Sequence, residues 1–227
     1  MKILHISDTH GFHNLFPKNT FDDIEMVIHS GDCSNSGYLH QSIIEITNFL
    51  NWFEMIPVKY KILVAGNHDT AIARRAIQHL DIRERGIIYL ENDDVEIEGL
   101  KIWGSPITPT FGDWSFMKAR DKTHEVWKTI PDDADIVIVH GPPKGVRDLS
   151  HNRNNDLEFC GDLALAKRIA HVKPQLMCFG HIHDSTGCDN QGVSTYSKIK
   201  TIFSNGSCVT DGRFDLGLTS FGNVFEL

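Results

Sequence analysis

Short apolar runs rich in β-branched residues recur along the chain, each closed by a polar or glycine-containing turn: Lys2 to Ser7, Met26 to Ser30, Tyr60 to Ala65 and Ile136 to Val139. Apolar residues at consecutive positions place hydrophobic side chains on both faces, which predicts strands buried inside a sandwich. Between them the period changes. Ile43, Ile44, Ile46, Phe49, Leu50 and Phe53 recur at helical spacing from Gln41 to Phe53, and Leu163 to Val172 predicts a second helix that Asp162 can cap. Ile87 to Leu90 and Val95 to Trp103 predict later strands, with a hairpin turning at Glu98-Gly99. Lys198 to Ser204 and Gly222 to Leu227 add short strands near the end. The order β, α, β, with no Pro/Ser linker, repeat or low-complexity tract, predicts one layered α/β domain over residues 1–227.

Composition narrows the classes. With 227 residues, 41% of them hydrophobic and 23% charged, the chain can bury a substantial core. The apolar stretch before Asp8 is too short for a signal-peptide core or a membrane span. Five cysteines, an odd number, widely spaced and without a C-x-x-C pair, argue against a disulfide framework or a structural zinc knot and predict a reducing cytoplasm. A formal charge of −8 disfavours a broad basic groove tracking a nucleic-acid backbone, which shifts weight to small substrates.

The candidate chemistry sits where the apolar runs end. The first run gives way to Ser7-Asp8-Thr9-His10-Gly11, where Asp8 and His10 lie two apart; on an extended segment that spacing projects both side chains the same way. A carboxylate and an imidazole can share a divalent cation, the plain alternative being a solvated loop. The second run ends in Ser30-Gly31-Asp32-Cys33, by itself most often a turn. The third ends in Gly66-Asn67-His68-Asp69, which combines an amide oxygen, an imidazole and a carboxylate; Asn67 could ligate a metal and His68, if Asp69 orients it, could donate a proton to a leaving oxygen. His140-Gly141-Pro142-Pro143 puts a histidine where a buried strand meets a rigid turn, and Gly180-His181-Ile182-His183 puts two imidazoles at period-two spacing after Leu176 to Phe179. Five strand-end clusters in one domain are a poor coincidence. Asp8, His10, Asp32, Asn67, His140, His181 and His183 supply enough oxygen and nitrogen for two cations if one carboxylate bridges them. With Cys33 as the one sulfur nearby, such a set suits hard or borderline ions. Two divalent ions bring four positive charges against two from Asp8 and Asp32, a surplus that favours a phosphate anion.

In order, these clusters match the pattern D-x-H, G-D, G-N-H-[DE], H and G-H-x-H of the calcineurin-type metallophosphoesterase family, which the chain resembles from Asp8 to His183. The resemblance implies two mixed β-sheets packed as a sandwich flanked by α-helices, with the metal site at the strand ends. It implies that Asp8, His10, Asp32 and His183 hold one ion and Asp32, Asn67, His140 and His181 the other, with Asp32 the bridge. His68 would serve the leaving group and Asp69 would orient it. Manganese is the first choice of ion, with iron, zinc, nickel or magnesium compatible, and a metal-bridging hydroxide is the implied nucleophile. His140-Gly141-Pro142-Pro143, Cys160-Gly161-Asp162-Leu163 and Asn205-Gly206-Ser207-Cys208 are similar to the metallophosphodiesterase-domain branch known as the MPPED group, which implies small phosphodiester substrates, cyclic nucleotides among them. Gly206 departs from that branch, which usually has alanine there.

Competing classes are a nuclease of the same fold, a phosphomonoesterase, and a metal-binding scaffold without activity. Lys144 and Arg147 could meet a phosphate or solvate a loop, the loop being preferred, and Ser150 to Asp156 is a lid or an uninvolved excursion. His5, His13, His29, His40, His79, His124 and His171 are read as structural or surface residues. Trp52, Trp103, Trp114 and Trp127 are read most simply as core or surface-anchoring aromatics, although Phe111-Gly112-Asp113-Trp114 sits in a loop-like region on whose rings a base could stack.

Overall fold

The computed structural model of the chain describes residues 1–196, 199–210 and 216–227. Two mixed sheets form its frame. In the first, Lys2–Ile6, Met26–His29, Tyr60–Leu63 and Ile88–Tyr89 run parallel, and Asn223–Glu226 pairs antiparallel with Lys2–Ile6 at the edge. In the second, Leu100–Ser105, Ile136–Val139, Leu176–Phe179 and Ile199–Asn205 run parallel, with Asp93–Ile97 and Gly192–Tyr196 as antiparallel edges. The second sheet holds the expected hairpin at Glu98-Gly99. Among the described residues the strand read from Lys198 begins at Ile199; Lys198 itself lies outside them.

Successive residues of each central strand separate into different cores, which is why the apolar runs are continuous rather than alternating. Ile3, Ile28, Ile62, Ile138 and Cys178 point between the sheets into one core. Leu4, Val27 and Leu63 face the other way, onto Ile46, Phe49, Leu50 and Phe53 of the Leu39–Glu54 helix. Val137, Val139 and Met177 face Leu165 and Ile169 of the Leu163–Val172 helix, with Trp103 and Trp127 filling the same core. The result is a helix–sheet–sheet–helix sandwich, the fold implied by the motif resemblance. Burying each such large apolar side chain stabilises the fold by roughly 1.5–3 kcal/mol. Asp162 caps the second helix as read, its Oδ1 accepting from Leu165 N at 2.9 Å. Among the described residues no helix is long and apolar enough to cross a membrane.

The parallel strands stop level with one another. Ile6 pairs with His29 and His29 with Leu63 in one sheet, and Ile138 pairs with Cys178 in the other. Five carboxyl-terminal loops therefore emerge on one edge of the sandwich, where open parallel sheets collect their ligands.

A candidate dinuclear metal centre

The five loops bring all seven candidate ligands together. Ligand atoms of Asp8, His10 and His183 lie within 4.8 Å of one another, and so do those of Asp32, His140 and His181. Asp32 joins the two groups: its Oδ2 is 3.3 Å from His140 Nε2 and 3.9 Å from His10 Nε2. Asn67 Oδ1 lies 3.0 Å from His140 Nε2, on the second group's side. His183 Nε2 is 3.1 Å from Asp8 Oδ1. The two imidazoles of Gly180-His181-Ile182-His183 thus fall in different groups.

The local geometry differs from the extended spacing expected at Asp8–His10. Asp8, His10, Asp32 and His181 all have positive φ, between 40° and 69°. The strand has already ended at Ile6, and it is left-handed turns that swing these side chains inward. For residues other than glycine such backbone stores strain, which the surrounding hydrogen bonds must hold in place. They do so: Asp8 N donates to Gly31 O at 2.8 Å, and His181 N donates to Asp8 Oδ2 at 2.9 Å. Two glycines make the approach feasible. A Cβ on Gly66 would lie 2.2 Å from Asp32 Oδ1, and one on Gly180 would lie 2.0 Å from Asp8 Oδ2.

Three of the imidazoles are also aimed from behind. His10 Nδ1 donates to Ser34 O at 3.0 Å, His140 Nδ1 to Ser30 O at 3.0 Å, and His183 Nδ1 to Thr210 O at 3.1 Å. A backbone carbonyl fixes the proton on Nδ1 and turns Nε2 toward the centre, the arrangement metal-binding histidines use. Asn205, from the secondary motif, donates Nδ2 to Ile182 O at 2.9 Å and so braces the His181–His183 loop.

The electrostatics fit divalent cations. Burial would raise both carboxyls, yet His183 and His140 hold Asp8 below the ordinary carboxylate range, and His140 and His68 hold Asp32 well below it. Burial would lower His140, but the Asp32 carboxylate overrides it and pushes His140 up to about 9. At His10 and His181 burial prevails, taking them down to about 4 and about 3. Two buried carboxylates thus hold protons on His140 and His183, while His10 and His181 keep free lone pairs. Divalent cations answer both features, displacing the protons and accepting the lone pairs.

His68 stands beside this set, its Nε2 4.0 Å from Asp32 Oδ2 and its backbone N donating to Asp32 Oδ1 at 2.8 Å. The expectation that Asp69 orients the His68 ring is corrected: His68 Nδ1 meets Asn35 O at 2.6 Å instead. Asp69 is fully buried and turns toward the Asp32 loop. Its Oδ2 accepts from Asp32 N at 3.0 Å and Gly66 N at 2.7 Å. Its Oδ1 accepts from Ser34 N at 3.0 Å and from Cys33 Sγ at 3.2 Å. Cys33 is therefore spent on Asp69, and burial, with the Asp69 charge, pushes its thiol well above the ordinary range.

Other readings resolve as well. Arg147 is consumed by Ser194 Oγ at 2.7 Å and by the carbonyls of Asn190, Gln191 and Val193, and Lys144 Nζ reaches Phe159 O at 3.4 Å, so both serve loops. The polar stretch after Ser150 is the turn of a small hairpin, Leu149–His151 with Leu157–Phe159. His151 Nε2 ties it to Thr186 O at 2.8 Å, and Ser150 to Asn154 line the cavity over the centre, about 1130 Å³ in volume. Reasoning from sequence missed Asn35, because a backbone carbonyl leaves no trace in residue type.

Fold and site together define the class: the chain belongs to the calcineurin-like phosphoesterase family, whose model matches residues 1–185. Among its relatives is Metallophosphoesterase domain-containing protein 1 of Homo sapiens, 30% identical over 220 residues covering 84% of this chain and 63% of that protein. Probable rhamnogalacturonate lyase C of Emericella nidulans is 33% identical over 197 residues, 82% of this chain but 17% of that protein. The chain thus spans less than two thirds of each of these relatives. TT1561 of Thermus thermophilus shares the fold at 14% identity, with a TM-score of 0.64 over 90% of this chain and 88% of that one.

Proposed function

We propose that the chain is a dinuclear metal-dependent phosphodiesterase for small phosphodiesters, cyclic nucleotides among them, working with manganese as one domain over residues 1–227. The convergence of both ligand groups on Asp32, with His68 Nε2 4.0 Å away, carries the reading. Asp8, His10, Asp32 and His183 would hold one ion and Asp32, Asn67, His140 and His181 the other. When bound, the ions supply Lewis acidity that draws charge from the phosphoryl oxygens and activates a water for in-line attack.

The chain's own residues do the rest. Because His68 Nδ1–H is committed to Asn35 O, neutral His68 has only a lone pair at Nε2. His68 therefore serves the leaving oxygen as imidazolium, giving up its Nε2 proton while the Nδ1–H bond keeps the ring in place. Asp69 acts at one remove, by holding the Asp32 backbone. A cavity of about 1130 Å³ leaves room for a second esterifying group beyond the phosphate, which favours diesters over monoesters. The net charge of −8 counts against a nuclease. Five free cysteines, four of them buried, suit a reducing compartment, the cytoplasm in our reading.

Purified protein with manganese is expected to hydrolyse bis-p-nitrophenyl phosphate, and Asp32→Ala to abolish that turnover. His68→Ala should cost about 10²–10⁴-fold on alkyl leaving groups and less on p-nitrophenolate, which needs little protonation. A panel of 2′,3′- and 3′,5′-cyclic nucleotides, linear dinucleotides, single-stranded DNA and phosphomonoesters chooses the substrate class. No turnover with any divalent ion refutes the reading.

A further inference from the structure

Two large aromatic side chains stand exposed where a buried position would be ordinary. Phe111 is 51% exposed and Trp114 39%, and both line the cavity above the metal centre. Neither belongs to a hydrophobic core. Each leans on an imidazole of the site: the Trp114 ring lies 4.4 Å from that of His68 at 31°, and the Phe111 ring lies 5.1 Å from that of His181 at 49°.

The loop that carries them is fixed at its base. Thr108 N donates to Phe116 O at 3.1 Å and Thr110 N to Lys118 O at 2.9 Å, closing the loop on itself. Ser115 N donates to Asn67 O at 3.2 Å, and Ser115 Oγ meets Thr70 Oγ1 at 3.0 Å, which ties the loop to the Gly66–Asp69 segment. Gly37 gives the indole its seat, since a Cβ there would lie 3.0 Å from Trp114 Cζ3. Rings held this way lose little entropy when a flat ligand arrives.

From these contacts the geometry points to a ring-stacking subsite formed by Phe111 and Trp114, which selects phosphodiesters carrying a planar aromatic group. This rests on the phosphodiesterase reading. His68 faces the leaving oxygen, so the substituent on that side passes over Trp114. Phe111, over His181, borders the same cavity. An aromatic face is attracted to any flat π-system with little regard to its hydrogen-bonding edges, so the subsite chooses flat over aliphatic esters without choosing among bases. Nucleoside and aryl diesters share that chemistry.

The test compares kcat/KM for a cyclic nucleotide, for bis-p-nitrophenyl phosphate and for glycerophosphoglycerol, an aliphatic diester with no cation to attract the rings, in wild type, Trp114→Ala, Trp114→Phe and Phe111→Ala. Trp114→Ala also exposes His68 and so slows substrates with alkyl leaving groups, an effect that cancels in the ratio of the cyclic nucleotide to the aliphatic diester and that His68→Ala, measured alongside, corrects for in the ratio of the nitrophenyl ester to the aliphatic diester. The ratios of planar to aliphatic diester should fall about tenfold for each ring removed, and Trp114→Phe should keep most of the preference. A fall confined to the nucleotide identifies a nucleobase as the occupant, and one confined to the nitrophenyl ester an aryl group. If the wild type turns over diesters but both ratios stay within twofold in both alanine variants, the stacking subsite is refuted while the phosphodiesterase reading stands. Wild-type inactivity on every diester removes both.

Discussion

Asp69→Asn separates two roles that a carboxylate beside His68 could play. The wild-type carboxylate accepts from two backbone N–H groups at Oδ2, Asp32 at 3.0 Å and Gly66 at 2.7 Å, and from Ser34 N at 3.0 Å at Oδ1. Asparagine keeps the shape but replaces one acceptor by an NH₂ donor. Placed at the Oδ2 position, that donor would face two N–H groups; placed at Oδ1, it would face one, since the Ser34 hydroxyl and the Cys33 thiol that also donate there can turn and accept instead. The second orientation is the less costly, and it still forfeits one charge-assisted hydrogen bond, about 1.5–3 kcal/mol. The loss falls on the Asp32–Ser34 loop, whose left-handed Asp32 backbone needs that support. Since Asp32 is the shared candidate ligand, manganese affinity should drop by about 10–100-fold, the effect usual for removing an outer partner of a metal site. Titrating metal-free protein with Mn²⁺ by calorimetry reads this directly, and turnover should recover at saturating manganese. Undiminished affinity, with turnover lost only for poor leaving groups, would refute the reasoning and restore Asp69 as the partner of the His68 ring.

Gly206→Ala tests why glycine stands at this position. A Cβ there would lie 2.6 Å from His5 Cε1. That ring is pinned by Ser204 Oγ at 2.7 Å and Ser30 Oγ at 2.9 Å, so the overlap should cost about 1–3 kcal/mol, a fall of several degrees in Tm. Pairing it with His5→Ser should cost less than the two changes summed; simple additivity would contradict the contact. Burial takes His5 and His29 from 6.5 down to about 3, so below pH 6.5 the unfolded chain binds protons that the folded chain refuses. The contribution of these two histidines should therefore be level above about pH 7 and fall as pH drops, by about 2 kcal/mol per histidine at pH 5. Urea midpoints at pH 7 and pH 5 measure this, and His29→Gln should shrink the difference; an unchanged difference would show that His29 is not kept neutral.

The core was legible because burial on both faces writes continuous apolar runs, as at Ile136–Val139, and the seven candidate ligands were legible because each closes such a run. The helix cap at Asp162 follows from residue type alone. The aim of the side chains was not. Convergence of Asp8 and His10 depends on left-handed backbone that residue identity merely permits, and the partner of His68 is a carbonyl that any residue at position 35 would carry. Asp69 was named for the wrong neighbour, because adjacency in sequence suggested His68 while the turn delivers its carboxylate to Asp32 N. The hairpin around Asn152–Asp156 was hidden by its polarity, its two strands being short and half or fully exposed.

Anomalous scattering from crystals grown with manganese tests the central claim most directly. Two peaks are expected, about 3.5–4 Å apart with Asp32 between them. One should be bounded by Asp8, His10 and His183, the other by Asn67, His140 and His181. A single peak, or ions lying away from Asp32, would contradict the dinuclear centre.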